Sequence, residues 1–192
     1  MVLFSAQMIV AVIVALFPAS GAISKCGSIK ESFLDANYDF DLKNFVSCIE
    51  SRKIGVDLSN RLEWRPLHLT ANFGDLEGSS KLLQFGADPA PQNMRASTPL
   101  HIAAFQNYNG IVKLLAQNKD TLNKVDFLGN SALHLAVQNK QKETMNILLD
   151  AGADPYLVNQ RALSPISLSC TLKDREVIKV FNLNENICSR DE

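Results

Sequence analysis

A short motif returns at a fixed interval along most of this chain. Four copies begin at 33-residue intervals, and the first three end in His: Arg65–His68, Thr98–His101, Ser131–His134 and Ser164–Ser167. A second motif, Gly86–Pro89, returns two intervals later as Gly152–Pro155, so the register holds without insertion or deletion. A strict period of this length predicts stacked copies of one small unit, each burying its apolar face against its neighbours.

The pattern inside each unit predicts two helices. Pro66, Pro99 and Pro165 suit the first turn of a helix, where the missing N–H costs nothing. The stretch Ile111–Leu115 then supplies the apolar stripe of a second helix. The sequence therefore predicts an all-α fold built from helix-turn-helix units.

Glycines mark the end of the second helix in two units. Gly86 and Gly152 fall just after that helix, where a left-handed cap favours Gly, and we expect both to be structural. Lys119 occupies the same place in the unit between them. Either Lys119 carries a left-handed cap at a cost of about 1 kcal/mol, or Asn118 takes that role.

The unit resembles the ankyrin repeat. The stretch Thr98–Ala104 reads TPLHIAA and Ile111–Leu115 reads IVKLL, and the resemblance covers roughly residues 31–182. It implies an ankyrin-repeat solenoid of about five 33-residue helix-turn-helix units with hairpin tips. It further implies that the histidines of the motif, His68, His101 and His134, are structural residues at the repeat junctions.

The repeat register gives the expected organisation. We expect a signal peptide at 1–22, an N-terminal capping unit at 23–59, three repeats at 60–158, and a C-terminal capping repeat with a tail at 159–192. In the first unit Leu34 falls at the Leu position of the motif. Degenerate terminal units are what a repeat array needs to close its ends.

The N-terminal segment 1–22 has the features of an export signal. Residues 2–17 are nearly all apolar, no charged side chain precedes Lys25, and Pro18 is followed by small residues. This order predicts a signal peptide cleaved after Ala22, and hence a secreted, extracellular protein. The alternative is a retained signal anchor, although Pro18 leaves the apolar run short of the roughly 20 residues that span a bilayer.

Export affects the interpretation of the four cysteines, because thiols in an oxidising compartment are usually paired. The solenoid implied by the resemblance keeps its two ends apart, so we expect pairs within each end. The predicted disulfides are Cys26–Cys48 and Cys170–Cys188. Buried free thiols are the alternative.

Composition and motif content exclude several function classes. The formal net charge of -1 argues against a general nucleic-acid binder. The three histidines stand one repeat apart and cannot converge on a metal. The sequence contains neither a Gly-x-Ser-x-Gly elbow nor a Gly-rich phosphate loop, so we expect no catalytic, cofactor or metal site.

The resemblance also implies where a partner binds, at the hairpin tips and the exposed face of the first helix. Eighteen positions match by register: Arg61, Leu62, Trp64, Asn72, Phe73, Met94, Arg95, Ser97, Phe105, Gln106, Phe127, Leu128, Asn130, Gln138, Asn139, Gln160, Arg161 and Leu163. Eight are apolar, three are Arg and none is acidic, which is typical of an interface core. The expected partner-binding residues are Arg61, Leu62, Trp64, Phe73, Met94, Arg95, Phe105, Phe127, Leu128 and Arg161.

These observations predict a secreted, non-enzymatic, monomeric protein-binding module with a protein partner. A venom, salivary or host-directed role follows from the resemblance together with the export signal. The alternatives are a membrane-anchored adaptor that retains residues 1–22 and, with no constellation to support it, an enzyme.

Overall fold

The computed structural model describes residues 20–36 and 41–181. Within these ranges the chain forms helices joined by turns and contains no strand. It divides into two compact units after Gly55. The predicted signal peptide falls mostly outside the described residues, and its expected cleavage point after Ala22 lies within the first helix.

The N-terminal unit is a helix pair. Helix α1 spans Ser20–Leu34 and α2 spans Leu42–Glu50. The Asp41 carboxylate caps α2 by accepting the backbone N–H of Lys43 at 2.8 Å. A carboxylate at this position satisfies N–H groups that have no partner inside the helix.

The core of this unit corrects the predicted position of Leu34. Cys26, Ile29 and Phe33 are buried at helical spacing on α1, and Leu34 is the last residue of that helix rather than near the start of one. The first helix therefore begins earlier than the repeat register predicts, because the apolar stripe that places it lies before Leu34. The ring of Phe33 packs against Phe45 of α2, with centroids 5.0 Å apart.

The predicted disulfide between Cys26 and Cys48 is present and joins α1 to α2. Both residues are buried. Closing a loop of this length stabilises a fold by roughly 3 kcal/mol in the chain-entropy model. Cys170 is also disulfide-bonded, and its predicted partner Cys188 lies outside the described residues.

The second unit repeats one helix pair. Each pair has a first helix that follows a turn at the hairpin tip, and a second helix that runs back beside it. The helices are α3 (Pro66–Phe73), α4 (Leu76–Gln84), α5 (Pro99–Phe105), α6 (Asn109–Leu115), α7 (Lys119–Leu122), α8 (Ala132–Gln138), α9 (Lys142–Ala151), α10 (Pro165–Thr171) and α11 (Arg175–Val180). The expectation that Pro66, Pro99 and Pro165 begin first helices is confirmed.

The helices of this unit stack in two rows. First helices pack in the order α3, α5, α8, α10, and each also packs against the second helix of its own pair. Leu67, Leu100 and Leu133 stand one repeat apart and are fully buried between the rows. At about 25 cal/mol per Å² of buried apolar surface, each such side chain contributes roughly 2 kcal/mol before its entropy cost.

The second helices end in two ways. Gly86 and Gly152 adopt φ of 85° and 97°, the left-handed conformation that the sequence predicts. The N–H of Gly86 then donates to the Leu83 carbonyl, and the N–H of Ala87 donates to the Leu82 carbonyl, both at 3.0 Å. This is the glycine cap expected at a helix C-terminus.

The middle repeat replaces that cap, and both expectations for Lys119 and Asn118 are wrong. Neither residue is left-handed: Asn118 has φ of -91° and caps the short helix α7, which Lys119 begins. The Thr121 hydroxyl donates to the Leu115 carbonyl at 2.9 Å. A side chain thus satisfies the end of α6, and no positive φ is required there.

Candidate protein-interaction face

Four turns at the hairpin tips are built by the same side-chain cap. In each, an Asn or Asp side-chain oxygen accepts the backbone N–H groups two and four residues later, at 2.8 to 3.1 Å. The capping residues stand one repeat apart: Asn60, Asn93, Asp126 and Asn159. Asn and Asp suit this role because their short side chains reach their own backbone. We did not predict this role, although their recurrence at every period is visible in the sequence.

Backbone hydrogen bonds join each tip to the next. The N–H of Met94 donates to the Leu62 carbonyl at 3.3 Å, and the N–H of Phe127 donates to the Arg95 carbonyl at 2.9 Å. The N–H of Gln160 continues the series to Leu128 at 3.0 Å. The four tips therefore form one ordered edge, whose backbone is held before any partner arrives.

This edge carries exposed apolar side chains. Met94 is 65% exposed, Phe127 55%, Leu128 46% and Leu62 42%. We call these four residues the tip row. Single exposed apolar residues are ordinary on a protein surface, whereas these four stand on three successive turns that backbone hydrogen bonds connect.

The predicted cations flank the tip row. Arg61, Arg95 and Arg161 are exposed on the tips of the second, third and fifth units. Glu63 is exposed on the first of these tips, so the edge is not free of acidic residues as the eighteen positions suggested. Glu63 was missed because it lies between the register positions that the resemblance supplied.

Other predicted positions lie away from the tip row. Phe73 and Phe105 are the last residues of α3 and α5 and are 54% and 57% exposed. Trp64 is half-buried, and its ring centroid lies 5.8 Å from that of His68. Trp64 therefore packs on a repeat junction as well as bordering the tip.

Asn130 was expected on the surface and is buried instead. Its side-chain oxygen accepts a hydrogen bond from the Asn159 amide at 2.8 Å, and its backbone carbonyl accepts one from His101. Two further predicted positions, Ser97 and Leu163, are half-buried and give their carbonyls to His68 and His134. Register alone cannot separate these junction positions from the exposed ones beside them.

The three histidines form a buried row beneath the tips. In each, Nδ1 accepts the backbone N–H three residues earlier, and Nε2 donates to a carbonyl of the next repeat. The Nδ1 distances are 3.0, 3.2 and 3.0 Å, and the Nε2 distances are 3.1, 2.9 and 3.0 Å, for His68, His101 and His134. Each ring thus joins two repeats in its neutral form.

Burial also disfavours charge on these rings. Desolvation lowers the pKa of His68 from 6.5 to about 4, and it lowers the pKa values of His101 and His134 as well. A buried neutral ring with both nitrogens engaged is not poised as a base for a substrate. Among the described residues no group of three or more His, Cys, Asp or Glu side chains is arranged to hold a metal.

The last repeat carries Ser167 where the others have His. Its hydroxyl accepts the Ser164 N–H at 2.7 Å, which reproduces the Nδ1 contact of the histidines. It also donates to the Ser164 carbonyl at 3.1 Å, inside its own repeat. Ser167 therefore caps α10, and its hydrogen bonds to other described residues stay inside its own repeat.

No described helix is both long enough and apolar enough to cross a bilayer. The apolar stretch of residues 2–17 falls outside the described ranges.

Comparison with known proteins identifies the repeats. A family model for ankyrin repeats, in three copies, matches residues 42–126 and 67–159. Together these matches cover more than half of the chain, and they include capped tips as well as histidine junctions.

Similar proteins have varied functions. The chain is 34% identical over 119 residues to a Caenorhabditis elegans homolog of transient receptor potential cation channel subfamily A member 1. It is 31% identical over 105 residues to NF-kappa-B inhibitor alpha of Sus scrofa, and 35% over 104 residues to an ankyrin repeat protein of fowlpox virus. These matches cover 62%, 52% and 51% of this chain but only 10%, 33% and 21% of the relatives. The chain therefore spans a third or less of the length of each of these relatives.

Proposed function

The chain belongs to the ankyrin-repeat family, and from that premise we propose that it is an exported, non-enzymatic module that binds a protein partner through its hairpin tips. Ankyrin repeats are generally protein-interaction modules without catalytic activity. The observation that carries the proposal is the tip row, in which four exposed apolar side chains stand on turns that hydrogen bonds already hold. A preordered edge loses little conformational entropy on binding, so more of its contact energy appears as affinity.

Two features support export. Residues 2–17 are apolar and are followed by a proline and small residues, and the described N-terminal unit contains a disulfide. Disulfides persist mainly in oxidising compartments. A venom, salivary or host-directed role stays a prediction from the family resemblance together with the export signal.

Expression of the full chain in secreting cells tests the export. The proposal expects the protein in the medium with Ile23 as its first residue, determined by N-terminal sequencing. Recovery in the membrane fraction with residues 1–22 attached would favour the membrane-anchored adaptor instead.

Affinity capture with residues 23–192, followed by substitution, tests the binding face. We expect Phe127→Ser to weaken capture of the retrieved partner, because the substitution removes an exposed apolar anchor. Phe85→Ser is the matched control, because Phe85 is 50% exposed but lies at the end of α4 rather than on a tip. Equal losses for the two variants would contradict binding by the tips.

A further inference from the structure

The charges on the tips indicate the chemistry of the partner. This inference rests on the proposed function, since it concerns what the tip row binds. Arg61, Arg95 and Arg161 are exposed, and their guanidinium groups make no ion pair within the described residues. By contrast, Arg65, just past the first tip, lies 3.6 Å from Asp57 and 3.4 Å from Asp88.

Two acidic side chains share this edge with the arginines. The Asp126 carboxylate accepts the N–H of Leu128 at 2.9 Å and that of Asn130 at 2.8 Å, so it serves the turn. Glu63 is the remaining exposed carboxylate on the four tips. The tips therefore carry three arginines against two carboxylates, and one of these carboxylates is engaged in capping.

The whole chain, by comparison, has a formal net charge of -1. Exposed carboxylates are found on the second helices, as with Glu77 on α4, Glu143 and Asp150 on α9, and Glu176 on α11. The second helices carry exposed cations as well, among them Lys113 on α6, Lys142 on α9 and Lys179 on α11, so what distinguishes the tips is that their arginines stand beside exposed apolar side chains. Arginines beside exposed apolar residues are typical of an interface core, and the positive charge of the arginines orients anionic partners.

The order of residues along the edge sets the pattern that a partner must match. Leu62, Arg95, Leu128 and Arg161 occupy the same place on successive tips, so apolar and cationic side chains alternate. Packed helices lie roughly 8–10 Å apart, which places Arg95 and Arg161, two repeats apart, at about 20 Å. An extended peptide spans that distance in about six residues.

We infer that the tips bind an extended acidic segment in which apolar residues lie between carboxylates about six residues apart. The carboxylates pair with the arginines, and the apolar residues between them contact Phe127 and Leu128. Arg suits this role because its planar fork can bind a carboxylate through two parallel hydrogen bonds. A segment with only anionic side chains would make no apolar contacts with the tip row. A segment with only apolar side chains would leave the arginines without carboxylates to bind.

The test is selection of random twelve-residue peptides displayed on phage against the immobilised protein, purified after expression of the full chain. The best clones are then made as labelled peptides and titrated by fluorescence polarisation. We expect enriched sequences to carry Asp or Glu on both sides of an aromatic or aliphatic residue. Affinity should fall steeply between low and high salt, since exposed ion pairs are screened.

Matched variants distinguish charge recognition from binding in general. Arg95→Glu combined with Arg161→Glu should weaken the peptide at least tenfold, because like charges then face each other. Lys113→Glu combined with Lys119→Glu changes the net charge equally at exposed positions on α6 and α7, and should leave the affinity within twofold. Thermal melts of each variant confirm that the fold is kept.

The outcomes also distinguish this inference from the proposed function. Peptides that lose affinity with Phe127→Ser but not with the double arginine variant would overturn the acidic-segment inference and leave binding by the tips standing. Enriched peptides without acidic residues would do the same. Selection of no peptide, or of peptides unaffected by Phe127→Ser, would overturn the inference and count against the binding face itself.

Discussion

The tip row and the histidine row follow the same repeat period and differ in almost every other property. Met94 and Phe127 are more than half exposed, whereas His101 and His134 are buried and have both ring nitrogens hydrogen-bonded. The backbone of one tip connects them, since the Asn130 carbonyl that His101 reaches follows Phe127 and Leu128 in the same turn. One period thus produces two structural roles: the histidines hold the repeats together, and the tips leave apolar side chains exposed.

Acid should separate the two rows most strongly. Histidines can take up protons, whereas the four side chains of the tip row cannot. The unfolded chain has histidines with pKa near 6.5, while burial lowers the pKa of His68 in the folded chain to about 4. The unfolded state therefore binds more protons between these values, and stability that is complete above pH 6.5 is lost as the pH falls toward 4. His68 alone contributes about 3 kcal/mol to this loss, and His101 and His134 shift in the same direction.

Urea unfolding at several pH values measures this loss, and NMR titration of the ring protons checks its cause. The folded protein should show no histidine titrating near pH 6.5. A His68 signal that titrates there in the folded state would contradict the bridging role.

Removing one bridge should cost about 3 kcal/mol of unfolding free energy. His101→Ala leaves the Asn130 carbonyl and the Thr98 N–H without their partner and opens a cavity between repeats. Ser167→Ala is the matched comparison and should cost about 1 kcal/mol, because among the described residues the Ser167 hydroxyl forms its hydrogen bonds within its own repeat. Equal costs would mean that the contact between repeats contributes little.

Gly129 lies in the turn that carries Phe127 and Leu128 of the tip row and also Asn130, whose carbonyl His101 contacts. It has φ of +78°, and an added Cβ would lie 2.8 Å from the backbone nitrogen of Gln160 on the next tip. Gly129→Ala should therefore cost about 2 kcal/mol of stability and also disturb the tips.

Ala162 occupies the same position one repeat later, with φ of +57°. Ala162→Gly should stabilise the fold by about 0.5–1 kcal/mol, because it relieves the left-handed strain. Chemical denaturation of both variants decides the matter. A gain for Gly129→Ala, or a loss for Ala162→Gly, would mean that the tip turns are not held as described.

How far the sequence predicts this structure depends on whether a residue type reveals its conformation. Pro66, Gly86 and Gly152 could be placed from the sequence, since each is the residue its backbone position favours. Ala162 could not, because nothing in an alanine signals positive φ. Lys119 was misplaced because Thr121, two residues on, supplies the cap that glycine supplies elsewhere.

The candidate face could likewise be predicted from the sequence only in part. Register placed Met94, Phe127 and Leu128 correctly on exposed tips. It could not show that Asn130, two residues after Leu128, turns inward, because that depends on the Asn159 amide of the next repeat. In the N-terminal unit the register failed at Leu34, where apolar residues outside the repeat pattern place the helix.

The most direct test of the central claim compares the binding of two variants to the captured partner. One of them, Phe127→Ala, also has the smallest expected effect on stability. Phe127→Ala should weaken binding by about 1–2 kcal/mol while changing the unfolding free energy by less than about 0.5 kcal/mol. His101→Ala, measured at a temperature where it is folded, should bind within about twofold of wild type despite its lower stability. If instead Phe127→Ala binds normally and His101→Ala abolishes binding while folded, the tips are not the interaction face and the division between the two rows is wrong.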